Sequence, residues 1–263
     1  MNARIAVPVF PGTNSEDETV RLLRDCGGNA ELVHWSLADT LAGYDAYVLS
    51  GGFAYEDRVR AGAIAAHDRI MDFVIEGAQQ GKLVFGICNG AQILLEAGLV
   101  PGTGAVRRPT AAFAKNAPEP HFVCRHVYLK LAFEPSRCAI TAALPPGALV
   151  PAWAAHVEGR LAATPQHLDE ILAGNHLAFV YAHANGVVDD AAVPNGSALR
   201  CAGLVNRDGN VLAIMPHPER DGWNFNHLDR YDGDDVLAPS GGAALFRSFV
   251  QAVATNVSSA KGA

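Results

Sequence analysis

A cysteine between two glycines, a histidine followed two residues later by a glutamate, and a glycine pair after an apolar run are the residues of this sequence best placed to do chemistry. The cysteine stands in Val84-Phe85-Gly86-Ile87-Cys88-Asn89-Gly90-Ala91-Gln92, an apolar run that leads into Gly-x-Cys-x-Gly and then into a helical pattern. That is the arrangement of a nucleophile elbow: the chain turns sharply from strand to helix, glycines remove side chains that would collide, and the nucleophile is held out at the strand end. A helix N-terminus at this point also favours a thiolate, because its backbone N–H groups and dipole stabilise negative charge. Cys88 is therefore the candidate nucleophile. The competing reading is a buried structural cysteine beside a packing glycine.

Acyl transfer through a thiol also needs a general base and an oxyanion site. Pro216-His217-Pro218-Glu219-Arg220 follows the apolar run 211–215, which places an imidazole at a second expected strand end with a carboxylate two residues on. Glu219 can hold the His217 tautomer and stabilise its imidazolium while the ring exchanges a proton with the thiol and the leaving amine. The same segment can instead be a rigid Pro-His-Pro turn with a solvated ion pair from Glu219 to Arg220. A third expected strand end supplies Ser50-Gly51-Gly52-Phe53, where absent side chains let backbone N–H groups approach a developing oxyanion. The N–H groups of Gly52 and Asn89 are the expected donors. A glycine turn with no ligand is the alternative, and the convergence of three strand ends on one chemistry weighs against it.

The elements that must hold these residues follow one repeated pattern in the first half: a short β-rich run, a glycine-containing loop, then a helical stretch. Runs at 4–9, 31–34, 44–49 and 83–87 predict a parallel sheet with helical crossovers. Asn14-Ser15-Glu16-Asp17-Glu18 offers a capping box for a helix over 16–25, which Gly27-Gly28 would end. Helical spacing of Ile64, His67, Met71, Val74 and Ala78 predicts a longer helix over about 61–80. Residues 101–120, rich in Gly, Pro, Arg and Thr, read as a long surface loop. Strands are expected again at 122–131, 177–181, 198–205 and 211–215, with Asp208-Gly209 turning the last two into a hairpin. A final amphipathic helix is expected over about 242–255, with a disordered tail after about residue 256. The whole is read as one domain over residues 1–263 with an α/β fold, a three-layer sandwich around a mixed, mainly parallel central sheet.

Bulk composition narrows the function classes. At 263 residues and 49% hydrophobic, the chain can bury one large core. A net charge of -7 repels phosphate backbones, so a nucleic-acid partner is not expected. No apolar run reaches the roughly 20 residues needed to span a bilayer, and the start at Met1 has no signal-type pattern; a cytoplasmic, membrane-free protein is expected. The five cysteines are odd in number and scattered, so reduced thiols are expected. No metal is expected: strand alternation sets His121 on the opposite face from Cys124 and His126. Asp232-Gly233-Asp234-Asp235 lacks the later glutamate of a calcium loop and reads as a solvated turn. His34, His67, His167, His176, His183 and His227 show no partner pattern in the sequence, and the basic pairs Arg58/Arg60 and Arg107-Arg108 read as solvated.

The sequence resembles the class I glutamine amidotransferases, through Gly86-Ile87-Cys88-Asn89-Gly90 and His217-Pro218-Glu219. Within them it is similar to the glutaminase subunits of phosphoribosylformylglycinamidine synthase, through Gly51-Gly52-Phe53-Ala54-Tyr55, the Asn89 after the cysteine and the Arg220 after the glutamate. Cys124-Arg125, His156-Val157-Glu158-Gly159-Arg160 and Pro194-Asn195-Gly196-Ser197 extend the likeness over roughly residues 4–250. The resemblance implies glutamine hydrolysis through a Cys88 thioester with His217 as base and Glu219 orienting it. It also implies that Gln92 helps hold the substrate, with backbone contacts near Gly52 and Phe53. The ammonia would go to a separate synthetase subunit that carries ATP and Mg, with room for a small third subunit and no cofactor in this chain. A chain without a Gly-x-x-x-x-Gly-Lys-Ser/Thr phosphate loop agrees with that division. Two departures stand out: Val157 where that branch usually has glycine in His-Gly-Glu-Gly-Arg, and Glu56 where glycine often follows the tyrosine. The first leaves roles for His156 and Glu158 open. Two other functions remain open from the residues: a different cysteine hydrolase of related architecture, such as a peptidase or a thiol-based deglycase, and a non-catalytic module that binds a partner.

Overall fold

The computed structural model describes residues 3–227 and 235–261. Short apolar runs form the strands of the first half: β1 (Arg4–Val9), β2 (Asn29–His34), β3 (Ala46–Leu49) and β4 (Leu83–Ile87). All four residues of β3 and all five of β4 are buried, as expected of strands covered on both faces. Helix α1 (Glu16–Asp25) links β1 to β2, α2 (Arg69–Gln79) precedes β4, and α3 (Asn89–Glu96) follows it. The second half contributes β5 (Ala111–Lys115), β6 (Val123–Leu131), β7 (Leu149–His156), β8 (Glu158–Ala163), α4 (Pro165–Ala173), β9 (Leu177–Ala182), β10 (Cys201–Val205), β11 (Val211–Ile214) and α5 (Ala243–Lys261).

Nine strands form one mixed sheet in the order β2-β1-β3-β4-β11-β10-β9-β6-β7. Pairings from β2 across to β11 are parallel, and those from β11 to β7 are antiparallel. Helices cover both faces. Phe85 meets Phe246 and Phe249 of α5 at ring-centroid distances of 5.7 and 5.9 Å. Its neighbour Gly86 points the other way, so that a Cβ there would lie 2.5 Å from Leu94 of α3. The expected three-layer α/β arrangement is present. β5 and β8 pair separately as a two-stranded antiparallel ribbon.

The sheet order is what assembles the site. β3, β4 and β11 are adjacent and parallel, so their C-terminal ends, at Ser50, Cys88 and Met215, lie side by side along one edge. In an open α/β sheet that edge is where ligands bind.

Several local expectations are corrected. The helix expected over 61–80 is broken at Asp68: a 3-10 turn covers Ala65–His67 and α2 begins at Arg69. The Asp68 carboxylate accepts from Ile70 N at 2.8 Å and from the Tyr55 hydroxyl at 2.5 Å, so capping wins over helical periodicity. The capping box at Ser15 does not form. Ser15 has φ -115°, ψ 15° and makes no cap bond; its hydroxyl accepts from Arg220 Nη2 at 3.0 Å, while Glu18 accepts from Arg220 Nε at 3.3 Å. The loop expected over 101–120 contains β5, which pairs antiparallel with β8, from Lys115 with Glu158 to Ala111 with Ala163, a pairing invisible to local composition. Residues 198–200 form a 3-10 turn before β10 rather than the start of a strand. The C-terminal helix runs to Lys261 rather than stopping near 255. Residues 262–263 and Asp232, Gly233 and Asp234 of the expected solvated turn lie outside the described residues. All five cysteines are free thiols.

Candidate active site

β4 ends at Ile87 and α3 begins at Asn89, leaving Cys88 alone to make the turn. Its φ of 51° and ψ of -109° are a conformation that L-residues avoid and that nucleophile elbows use. The turn is locked on both sides: Cys88 N donates to Ile214 O at 2.8 Å, and Gln92 N donates to Cys88 O at 3.0 Å. Its glycines are steric necessities. A Cβ on Gly90 would lie 2.5 Å from the carbonyl carbon of Leu49. A Cβ on Gly51 would lie 2.5 Å from His217 Cε1, 3.1 Å from Ser15 Oγ and 3.4 Å from Cys88 Cβ. Gly51 thus sits between the thiol and the imidazole.

His217 follows β11 and is clamped by a backbone pair to Trp153, N to O at 2.8 Å and O to N at 3.1 Å. Its Nδ1 donates to Glu219 Oε1 at 2.5 Å, with the ring 2% exposed and the carboxylate fully buried. Its side chain also hydrogen-bonds to Cys88. Burial disfavours the charged ring, but the Glu219 carboxylate and Cys88 outweigh it, and the His217 pKa is pushed up to about 10. The alternative of a Glu219–Arg220 ion pair is not what forms: Arg220 turns away to Glu18 and Ser15. Glu219 Oε2 has no hydrogen-bond partner among the described residues.

Replacing Glu219 with glutamine is expected to lower turnover about 10⁴-fold, against about 10⁶-fold for His217→Ala, because orientation is lost while a base remains. Equal losses would give Glu219 another role. The same variant should pull the His217 titration midpoint down from about 10, as read by NMR. The sign of the linked stability follows: a raised folded pKa contributes stability fully present below about pH 6.5 and lost as pH rises through about 10, so Glu219→Gln should flatten that loss.

A cavity of about 230 Å³ opens over the sulfur, lined by Gly52, Phe53, Cys88, Gln92 and His217, all expected from the sequence, and by Asp57, His156, Glu158 and Arg220. Gly52 has φ 146°, and Phe53 N is already spent on Gly12 O at 2.8 Å, so Phe53 contributes its half-exposed ring to the mouth rather than an oxyanion donor. The Asn89 side chain ties the elbow to the neighbouring loop, accepting from Ala54 N at 3.0 Å and donating to Asp57 Oδ1 at 3.1 Å. Gln92 lines the cavity with its amide engaged inside the protein: Oε1 accepts from Asn89 at 2.9 Å and Nε2 donates to Glu158 O at 2.5 Å.

The departures noted in the sequence acquire geometry. Glu56 has φ 59°, between Tyr55 at 55° and Asp57 at 51°, a left-handed run in which glycine is the low-strain residue. His156, Val157 and Glu158 all reach the cavity despite the missing glycine. Asp57 is not singled out in the sequence, where the one hint of its left-handed turn is the glycine expected at position 56. His227, without a pattern in the sequence, donates from Nδ1 to Asp221 at 3.0 Å, and His126 Nε2 lies 2.7 Å from the same carboxylate. These three ligand-type groups lie within 4.8 Å of one another and are joined by hydrogen bonds just after the catalytic segment.

The chain matches the CobB/CobQ-like glutamine amidotransferase domain over residues 2–252. It is 42% identical over 234 residues to phosphoribosylformylglycinamidine synthase subunit PurQ of Pyrococcus furiosus, covering 89% of this chain and 95% of that relative. This chain belongs to the PurQ family of glutamine amidotransferases. The PurQ subunit of Symbiobacterium thermophilum is 40% identical over 248 residues, covering 94% of this chain and 96% of its own. Among solved structures, that of PurLQS from Thermotoga maritima superposes with a TM-score of 0.74 at 30% identity, covering 95% of this chain and 99% of the matched one. PurQ-family chains are the glutaminase components of phosphoribosylformylglycinamidine synthase in purine biosynthesis, and this chain spans nearly the full length of its relatives.

Proposed function

We propose that Cys88, His217 and Glu219 hydrolyse L-glutamine and that the ammonia passes to a synthetase subunit. Cys88 sulfur attacks the carboxamide carbon, and the oxyanion forms against the N–H groups of Gly52 and Asn89. His217, charged and held by Glu219, gives its proton to the leaving nitrogen, so that ammonia departs and a glutamyl thioester remains. Water then loses a proton to the neutral ring, attacks the thioester and releases glutamate and thiol. Gln92 holds the substrate's wall through Asn89 and the Glu158 carbonyl.

The observation that carries this reading is the buried contact of His217 with Glu219 on one side and Cys88 on the other. A non-catalytic module would have no need to bury an ion pair against a strained thiol, and the family match leaves a peptidase or deglycase without support. ATP and Mg belong to the synthetase subunit in this reading, a small third subunit completes the assembly, and the complex works in the cytoplasm. No helix among the described residues is long and apolar enough to cross a membrane.

The test is glutamate release at saturating glutamine by the chain alone and by the chain with its synthetase subunit, ATP, Mg and formylglycinamide ribonucleotide. The complex should run about 100- to 1000-fold faster, the value of one oxyanion donor, because a partner can set whether the Gly52 peptide points into the site. A lone chain already at the full rate would overturn partner dependence.

A further inference from the structure

We propose that His126, Asp221 and His227 bind a divalent transition-metal ion of the zinc class, which braces the catalytic segment from outside the substrate cavity. None of the three lines that cavity. His126 comes from β6, Asp221 from the 3-10 turn Pro218–Asp221 after β11, and His227 from just beyond a second such turn, Asn224–Asn226. His126 Nε2 lies 2.7 Å and His227 Nδ1 3.0 Å from Asp221 Oδ2, and the ligand atoms of the three residues all fall within 4.8 Å of one another. Strand alternation keeps His121 away from His126, but the groups that do reach His126 arrive from the far end of the chain.

The donor set selects the ion. Two imidazole nitrogens and one carboxylate oxygen suit zinc and its neighbours, whereas magnesium and calcium take oxygen ligands almost throughout. Three protein ligands leave one position of a tetrahedral ion for water. Solvent reaches the cluster past the His227 side chain, which is 24% exposed, while those of His126 and Asp221 are 5% and 0% exposed. On binding, each neutral ring carries its proton on its other nitrogen and turns a lone pair to the ion. The nitrogen–oxygen separations then open from 2.7 and 3.0 Å toward about 3.3 Å, the spacing of two ligand atoms on a tetrahedral zinc.

Two further observations separate this cluster from an ordinary surface network. Asp221 is fully buried, and no lysine or arginine pairs with it among the described residues. A carboxylate so deep calls for a positive partner, which an ion between the two rings supplies. The ligands are also held in place, as the groups around a metal usually are. Ser240 Oγ donates to Asp221 Oδ1 at 2.6 Å, which fixes the carboxylate. The His126 ring meets Tyr128 and Trp153 edge to face at 5.0 and 5.3 Å, which fixes the imidazole. Trp153 also makes the backbone pair that clamps His217, and Asp221 stands two residues after Glu219, so an ion here ties β6 to the catalytic segment.

The probe is zinc itself, titrated into the full chain against a chromophoric chelator, with Cys88→Ala in the background so that the catalytic thiol cannot supply a ligand. One zinc per chain should bind more tightly than about 1 μM. At about 100 times its Kd it should raise Tm by about 5–10 °C. Cobalt(II) in its place should give the visible ligand-field absorption of a four-coordinate ion, and magnesium should neither bind nor stabilise. His126→Gln and His227→Gln should each weaken zinc at least about 100-fold, since even the hydrogen-bond partners of a metal ligand are worth about 10- to 100-fold. The Tm of each variant without added metal reports whether it folds; should the buried His126→Gln fail, the partly exposed His227→Gln decides. A chain that takes up no stoichiometric zinc would leave a hydrogen-bonded network only, and zinc bound as tightly by His227→Gln as by its parent would put the ion elsewhere. Either result overturns the site.

Discussion

Cys88→Ala is expected to lower glutamine hydrolysis by about 10⁵- to 10⁶-fold, the loss typical of removing the nucleophile from a group that works as a unit. Synthesis by the complex supplied with ammonium salt should continue at its normal rate, because only the ammonia source is lost. The substitution is gentle on the fold. Alanine carries the same Cβ at the same φ of 51°, so the elbow's strain is unchanged, and the sulfur gives up only its contact with His217 and a long one to the Ala155 carbonyl at 4.0 Å. Stability should stay within about 1 kcal/mol of wild type. Glutamine hydrolysis persisting at more than a hundredth of the normal rate would take Cys88 out of the mechanism. A simultaneous loss of ammonia-dependent synthesis would place the defect in assembly rather than chemistry.

The largest stability effect is expected at Gly90. A Cβ there would collide with the backbone of Leu49, lying 2.5 Å from its carbonyl carbon and 2.8 Å from its Cβ. Neither partner can yield: Leu49 is paired in the middle of the sheet, and α3 begins one residue before Gly90. Gly90→Ala should therefore destabilise by about 3 kcal/mol or more, at the upper end of overpacking, and lower Tm by about 6–12 °C for a chain of this size. Displacing α3 would also move the Asn89 N–H and the thiol, so activity should fall even where the variant stays folded. Gly27→Ala is the control: nothing lies within 4 Å of the added Cβ, and only the backbone, at φ 87°, resists. That change should cost about 1–2 kcal/mol and leave turnover alone. A Gly90→Ala variant that melts with the control would show that α3 is free to shift away from β3.

The sequence by itself singled out the candidate elbow, base and orienting carboxylate, because each is a run of neighbours whose geometry is local. Gly-x-Cys-x-Gly after an apolar run suits a tight strand-to-helix turn, and His217-Pro218-Glu219 carries its own hydrogen bond across two residues. Continuous buried runs at β3 and β4 also announced a doubly covered sheet. Tertiary structure decided what depends on partners far along the chain. β5 is a strand because β8 pairs with it, which overrides a composition of loop residues nearby. The helix over 61–80 breaks because Asp68 meets Tyr55 and caps Ile70, a choice that helical spacing does not register. Ser15 leaves its capping role because Arg220 arrives from more than 200 residues away. Asp57, His156 and Glu158 belong to the pocket only because β7 and β8 bring residues 156–158 across from the elbow and a left-handed turn points Asp57 inward. Catalytic chemistry was legible where strand ends carry it in consecutive residues. The rest of the cavity lining was not, since it is assembled from side chains whose only common property is the space they share.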